Sequence, residues 1–126
     1  MIPQVSDSEL ELIRIVWASG GAATYASIME ELAKAGRTWQ KNTVITLLSR
    51  LVDKGLLKTN KIGRRNEYIA LVTENGYQSA QARSFLNKLY AGDAKSLVAT
   101  LIQGEMLSED DYRELKRFWE SGGGEK

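Results

Sequence analysis

Apolar residues recur with helical spacing three times in the first half of the chain. Leu10, Ile13 and Trp17 stand at i, i+3 and i+7, and Leu12 and Val16 widen the stripe. This pattern predicts an amphipathic helix running to about Ala18. Ser6-Asp7-Ser8-Glu9 reads as its capping box, in which the Ser6 hydroxyl accepts from a first-turn amide and Glu9 reaches back to the cap. Gly20-Gly21 ends it, because glycine tolerates the positive φ of a helix stop. A second helix begins near Thr24 or Tyr25. Its Ile28 and Leu32 lie one turn apart, Glu30, Glu31 and Lys34 face solvent, and Gly36 closes it. The clearest pattern spans Trp39 to Lys54, where Val44, Leu47, Leu48, Leu51 and Val52 form one face and Gly55 marks the stop.

Beyond Gly55 the period shortens. Leu56 to Ile62 and Asn66 to Val72 have alternating or β-prone character, and Gly63-Arg64-Arg65 separates them as a basic hairpin tip. Three short helices with brief connections are the layout of a helix-turn-helix. Followed by such a hairpin, they predict a winged helix over about residues 1–72. From Thr73 the helical period returns, first to about Ala91 with Tyr77, Phe85, Leu86, Leu89 and Tyr90. Gly92-Asp93 breaks it, and Asp93 can cap a helix holding Leu97, Val98, Leu101 and Ile102 that weakens at Gly104. Ser108 caps a last helix. Its acids Glu109, Asp110 and Asp111 sit at the positive end of the dipole, and its apolar residues are Tyr112, Leu115, Phe118 and Trp119. Three glycines in Ser121 to Lys126 predict a frayed tail. The expected fold is therefore mainly α with a small β-hairpin wing: a winged helix-turn-helix domain and a three-helix arm over 73–126.

Composition narrows the chemistry. At 126 residues, 43% apolar and 26% charged, the chain suits one small folded domain with an extension. It has no cysteine and no histidine. Disulfides, thiolate nucleophiles and Ser–His pairs cannot be built, nor can the usual zinc-ligand sets. The expectation is a protein that is not an enzyme and uses no cofactor or metal. No apolar run reaches the roughly 18–20 residues of a membrane span, and Met1 to Val5 lack the marks of a secretory signal, so a cytoplasmic location is expected. The formal net charge is only +1, but it is unevenly placed. From Arg37 to Arg65 eight bases face one acid, Asp53, whereas from Thr73 onward seven bases face nine acids. A basic middle in a neutral chain predicts a local surface for a polyanion.

The third helix carries the candidate chemistry. Its apolar face is used in packing, and the opposite face presents Gln40, Asn42, Thr43, Thr46, Ser49 and Arg50. Short polar side chains near a helix start let the backbone approach base edges; Asn and Gln suit adenine, and a Thr methyl suits a thymine methyl. Lys41, Arg50 and Lys54 are placed for phosphates, which fix register rather than sequence. Arg64 and Arg65 at the hairpin tip can reach phosphates or the minor groove, or can simply keep the turn soluble and unpaired. Tyr68 and Ile69 are expected to anchor the hairpin to the core. The rival to double-stranded DNA as partner is another protein, since some winged helices bind only proteins. In the arm, Phe85, Leu89, Tyr90, Leu97, Leu101, Ile102, Leu115, Phe118 and Trp119 exceed what one small domain can cover. A symmetric second copy is the simplest cover, which predicts a homodimer.

Several blocks, in order, resemble the penicillinase-repressor family (the BlaI/MecI/CopY group) of bacterial winged-helix repressors. They are Pro3 to Glu11 with Ile15-Val16-Trp17, Trp39 to Leu51 leading into Val52-Asp53-Lys54-Gly55, Ser84 to Gly92, Ser96-Leu97-Val98, and Leu107 to Asp111. The resemblance implies cytoplasmic homodimers that bind inverted-repeat operators and repress transcription, in the β-lactam response or in a branch with another signal. It implies base contacts at Thr43 and Thr46 and a backbone contact at Arg50. Where the family often carries a proline and a lysine before the first threonine, this chain has Lys41 and Asn42, which implies an altered operator preference. In the β-lactam-responsive branch a sensor-linked protease inactivates the repressor at an Asn–Phe bond in the arm. The matching place here is Thr100-Leu101, the candidate cleavage site. The copper-responsive branch uses Cys-x-Cys motifs, and a chain without cysteine cannot respond by that route.

Overall fold

In the computed structural model, which describes residues 3–122, the elements run α1 (Asp7–Ala18), β1 (Ala22–Thr24), α2 (Tyr25–Lys34), α3 (Lys41–Asp53), β2 (Leu57–Ile62), β3 (Arg65–Ala70), α4 (Glu74–Tyr90), α5 (Ala94–Gln103) and α6 (Glu109–Glu120). The strands form one antiparallel sheet in the order β1-β3-β2. Three helices with a wing are thus present at the expected places, followed by three further helices.

The first compact unit covers residues up to Gln81. Leu12, Ile13 and Val16 of α1 meet Ile28 and Leu32 of α2 and Val44, Leu47, Leu48 and Leu51 of α3 in one core, closed by Leu56 just ahead of β2 and by Leu57 and Tyr68 from the sheet. Each fully buried Leu, Ile or Val contributes roughly 1.5–3 kcal/mol relative to exposure. The start of α1 is fixed as its sequence requires: Ser6 Oγ accepts from Glu9 N at 3.1 Å, and Glu9 Oε1 accepts from Ser6 N at 2.9 Å. Thr24 caps α2 by accepting from Ser27 N. At the end of α3, Gly55 takes φ +80° and the Leu56 amide returns to Leu51 O at 3.0 Å, turning the chain directly into β2.

Several details differ from the sequence reading. Strand β1 was not anticipated. Its three residues are too few to show alternation, and they pair with β3 from Ala22↔Ile69 to Thr24↔Glu67. Helix α3 starts at Lys41 rather than Trp39, because Gln40 is extended (φ −76°, ψ 157°) as the N-cap. Trp39 stays half-buried ahead of the helix with the Arg37 guanidinium stacked 5.3 Å from its ring centre. The wing turn is tighter than Gly63-Arg64-Arg65. Ile62 pairs with Arg65, so only Gly63 (φ +61°) and Arg64 lie between paired residues. The winged-helix unit also runs past residue 72. Trp17 Nε1 donates to Val72 O at 2.9 Å, and Tyr77, on α4, is buried in the same core with its ring 5.8 Å from that of Trp17.

The second unit, from Ala82, holds the rest of α4 with α5 and α6. Asp93 caps α5, and hydrogen bonds from Ser96 hold its carboxyl below the ordinary value. Ser108 caps α6 and Asp111 returns the bond to Ser108 N at 2.9 Å, a second capping box. Of the frayed tail expected over 121–126, residues 123–126 lie outside the described residues.

Candidate nucleic-acid interface

The buried residues of α3 (Val44, Leu47, Leu48 and Leu51) hold the helix by one face, which leaves Gln40, Lys41, Asn42, Thr43, Thr46, Ser49 and Arg50 exposed. Two concave surfaces result. Asn42, Thr43, Thr46 and Arg50 line a shallow depression of about 300 Å³ on the outer flank of α3. On the other flank, Lys41 and Ile45 share a groove of about 400 Å³ with Thr24, Tyr25 and Ala26 at the start of α2 and with Arg64, Arg65 and Asn66 of the wing. The fold therefore brings the wing-tip arginines and the first turns of α3 to one surface. Sequence reasoning missed the α2 start and Ile45. The α2 residues carry no charge, and Ile45 was passed over as apolar although it lies off the 44-47-48-51 stripe.

The charges on this surface are not uniformly free. Lys41, Arg50, Lys58, Lys61, Arg64 and Arg65 are exposed, and none of them has an acidic partner within ion-pair distance among the described residues. Arg37 is engaged by Glu11 through two bonds of 2.7 and 2.9 Å, which raise its pKa further. Lys54, expected at a phosphate, donates instead to Glu9 Oε1 at 2.6 Å and to Gln4 O at 3.1 Å. Glu9 itself is buried. Burial pushes its carboxyl up, but the hydrogen bonds from Lys54 and Ser6 outweigh this and leave it below the ordinary value. Sequence alone does not expose this pair, because its members are 45 positions apart. The wing is anchored as expected by Tyr68, which is buried in the core, and burial raises the pKa of its hydroxyl. Lys58 and Lys61 stand on β2, one of the two edge strands, where charge discourages further pairing.

In the second unit Phe85, Leu89, Ile102, Leu115 and Trp119 are exposed, and Tyr90, Leu97 and Leu101 are half-buried. Val98, Met106, Tyr112 and Phe118 add to the exposed apolar surface. Helices α5 and α6 enclose a groove of about 700 Å³ lined by Val98, Ile102, Tyr112, Leu115 and Trp119 among others. The Thr100-Leu101 bond lies inside α5, where Thr100 Oγ1 donates to Ser96 O at 3.1 Å.

Comparison with known proteins identifies the family of the chain. The penicillinase repressor family profile matches residues 5–121. A penicillinase repressor of Bacillus licheniformis is 35% identical over 119 residues, which are 94% of this chain and 91% of the relative. The methicillin resistance regulatory protein MecI of Mammaliicoccus sciuri is 33% identical over 115 residues, covering 91% and 92%. The solution structure of the monomeric form of Bacillus licheniformis BlaI, in complex with the blaP half-operator, superposes with a TM-score of 0.51 at 36% identity. That match takes in 61% of this chain and 92% of the BlaI chain. With one profile spanning nearly its whole length and relatives above 30% identity end to end, the chain belongs to the penicillinase repressor family.

Proposed function

We propose that this protein is a sequence-specific DNA-binding transcriptional repressor. In this reading α3 lies in the major groove with Asn42, Thr43 and Thr46 toward base edges, and Gln40 at its entrance. Lys41, Arg50, Arg64 and Arg65 hold the sugar-phosphate backbone, with the wing arginines at the adjacent phosphates or minor groove. Lys54 is left to support the domain through Glu9. The observation that carries the reading is the outward surface of α3, short and polar, beside a wing whose cations have no acidic partners among the described residues. That the related BlaI monomer was solved in complex with the blaP half-operator supports DNA as the partner.

Two copies would join through the apolar surface of the arm and occupy an inverted repeat, blocking transcription by covering its start. The location that fits is the cytoplasm, and no helix among the described residues is long and apolar enough to cross a membrane. Release by a sensor-linked protease at Thr100-Leu101, in a β-lactam response, is the inducing step that fits the family. Because that bond is helical, cleavage would require α5 to unwind locally first.

Binding to a random duplex at several salt concentrations tests the reading. Each phosphate neutralised contributes about −0.9 to the slope of log affinity against log salt. A slope of about −3 to −5 is expected from the unpaired cations of one copy. A flat response would overturn the DNA assignment and favour a protein partner on this face.

A further inference from the structure

Ile45 is 38% exposed on α3 although Val44, Leu47 and Leu48 beside it are buried. It sits one turn beyond Lys41 and faces the groove that also contains Tyr25, Arg64 and Arg65. A branched apolar side chain at this place is unusual for two reasons. Its methyls gain nothing from water. An apolar protein surface laid against it would also have to desolvate the cations around it, which is costly without counter-charges. The surface that satisfies both is anionic at its margins and apolar at a point between them. The DNA major groove has this character, with phosphates along both walls and the C5-methyl of thymine as the apolar group on its floor.

We propose that Ile45 recognises a thymine through its C5-methyl and is a specificity-determining residue alongside the polar flank of α3. The proposal rests on the DNA-binding reading given above and deepens it by naming a base preference. Ile45 and Asn42 are three residues apart on α3 and so are neighbours on its surface. One methyl withdrawn from water corresponds to about a fourfold change in affinity.

The test begins with selection of the preferred duplex for the full chain from a random library. Each thymine in the selected sequence is then replaced in turn by deoxyuridine, which removes the methyl and leaves every hydrogen-bonding group. Dissociation constants are measured for the wild type, Ile45→Ala and Ile45→Val, with thermal melting of each protein as the folding control. The wild type should lose about fourfold at one thymine per half-site, Ile45→Ala should be indifferent there, and Ile45→Val should keep most of the sensitivity. If Ile45→Ala does not fold, Ile45→Gln, a good helix former with no methyl group, takes its place. Equal sensitivity to every methyl in the wild type and the truncated variant overturns the role of Ile45 and leaves the repressor reading intact. So does a wild type indifferent to all methyls. If selection enriches no sequence, the DNA reading fails and the proposal with it.

Discussion

Lys54 Nζ stands 2.6 Å from Glu9 Oε1, tying the end of α3 to the first turn of α1 through a carboxylate that is only 2% exposed. The pair holds the helix that presents the polar face, so its strength is a stability question with consequences for binding. Glu9→Gln keeps an acceptor for Ser6 N but loses the charge, and should cost about 1–3 kcal/mol in urea unfolding near neutral pH. Lys54→Met should cost more, because it strands a buried carboxylate. The folded pKa of Glu9 lies below the ordinary 4.5, so the unfolded chain takes up the proton more readily. The stabilisation is therefore complete above about 4.5 and disappears as pH falls through the folded value. Unfolding series from neutral pH down to about 3 should show this loss in the wild type and not in Glu9→Gln.

The DNA-binding unit should survive alone only if the cut spares the start of α4. Ending the chain after Leu71 removes Val72, whose carbonyl accepts from Trp17, and the buried ring of Tyr77. Loss of a buried aromatic of this kind costs about 3–5 kcal/mol, a large share of a small domain's stability. A fragment ending after Gln81 should unfold cooperatively and show dispersed amide resonances, whereas one ending after Leu71 should be largely unfolded at room temperature. Equal stability of the two fragments would show that Tyr77 does not contribute to the core.

How much of this was legible in the sequence depended on range. Features with local causes were readable: the Ser6–Glu9 box, the Asp93 and Ser108 caps, the apolar stripe of α3 and the basic hairpin all reside within a few residues of their partners. Features set by distant partners were not. Strand β1 exists because β3 is beside it, and Lys54 is withdrawn from the phosphate set by a glutamate near the other end of the domain. The return of a helical period at Thr73 marked the start of α4 correctly, yet the compact unit ends later, because Tyr77 on that helix packs backward onto Trp17. Ile45 escaped notice because it belongs to neither pattern: it lies off the buried stripe of α3 and has no polar group to place it on the opposite face.

Thr43→Ala and Thr46→Ala should leave folding unchanged, since both side chains are exposed, and should act on discrimination. Each is expected to narrow the gap between specific and random duplex by roughly 1–3 kcal/mol, with little effect on binding to random duplex. Competition titrations against both duplexes separate the two effects. Full retention of sequence preference in both variants would remove the threonines from base reading.

The arm makes a prediction about assembly. Leu115 and Trp119 line the α5–α6 groove with Val98 and Ile102, and Trp119 is 81% exposed. If a second copy covers this surface, Leu115→Asp should convert the dimer to monomer in sedimentation velocity, and Trp119→Ala should weaken it at least tenfold. Operator affinity should fall in parallel, because two half-sites then bind independently. A wild-type chain that sediments as a monomer at tens of micromolar would refute the symmetric arrangement.

Backbone amide mapping of the full chain against its selected duplex gives the most direct view of which surface the nucleic acid occupies. The largest shift changes should fall on Gln40 to Arg50 and on Arg64 to Asn66, with smaller ones at the start of α2. Changes confined to α5 and α6, with α3 and the wing silent, would contradict the assignment of α3 as the base-reading helix.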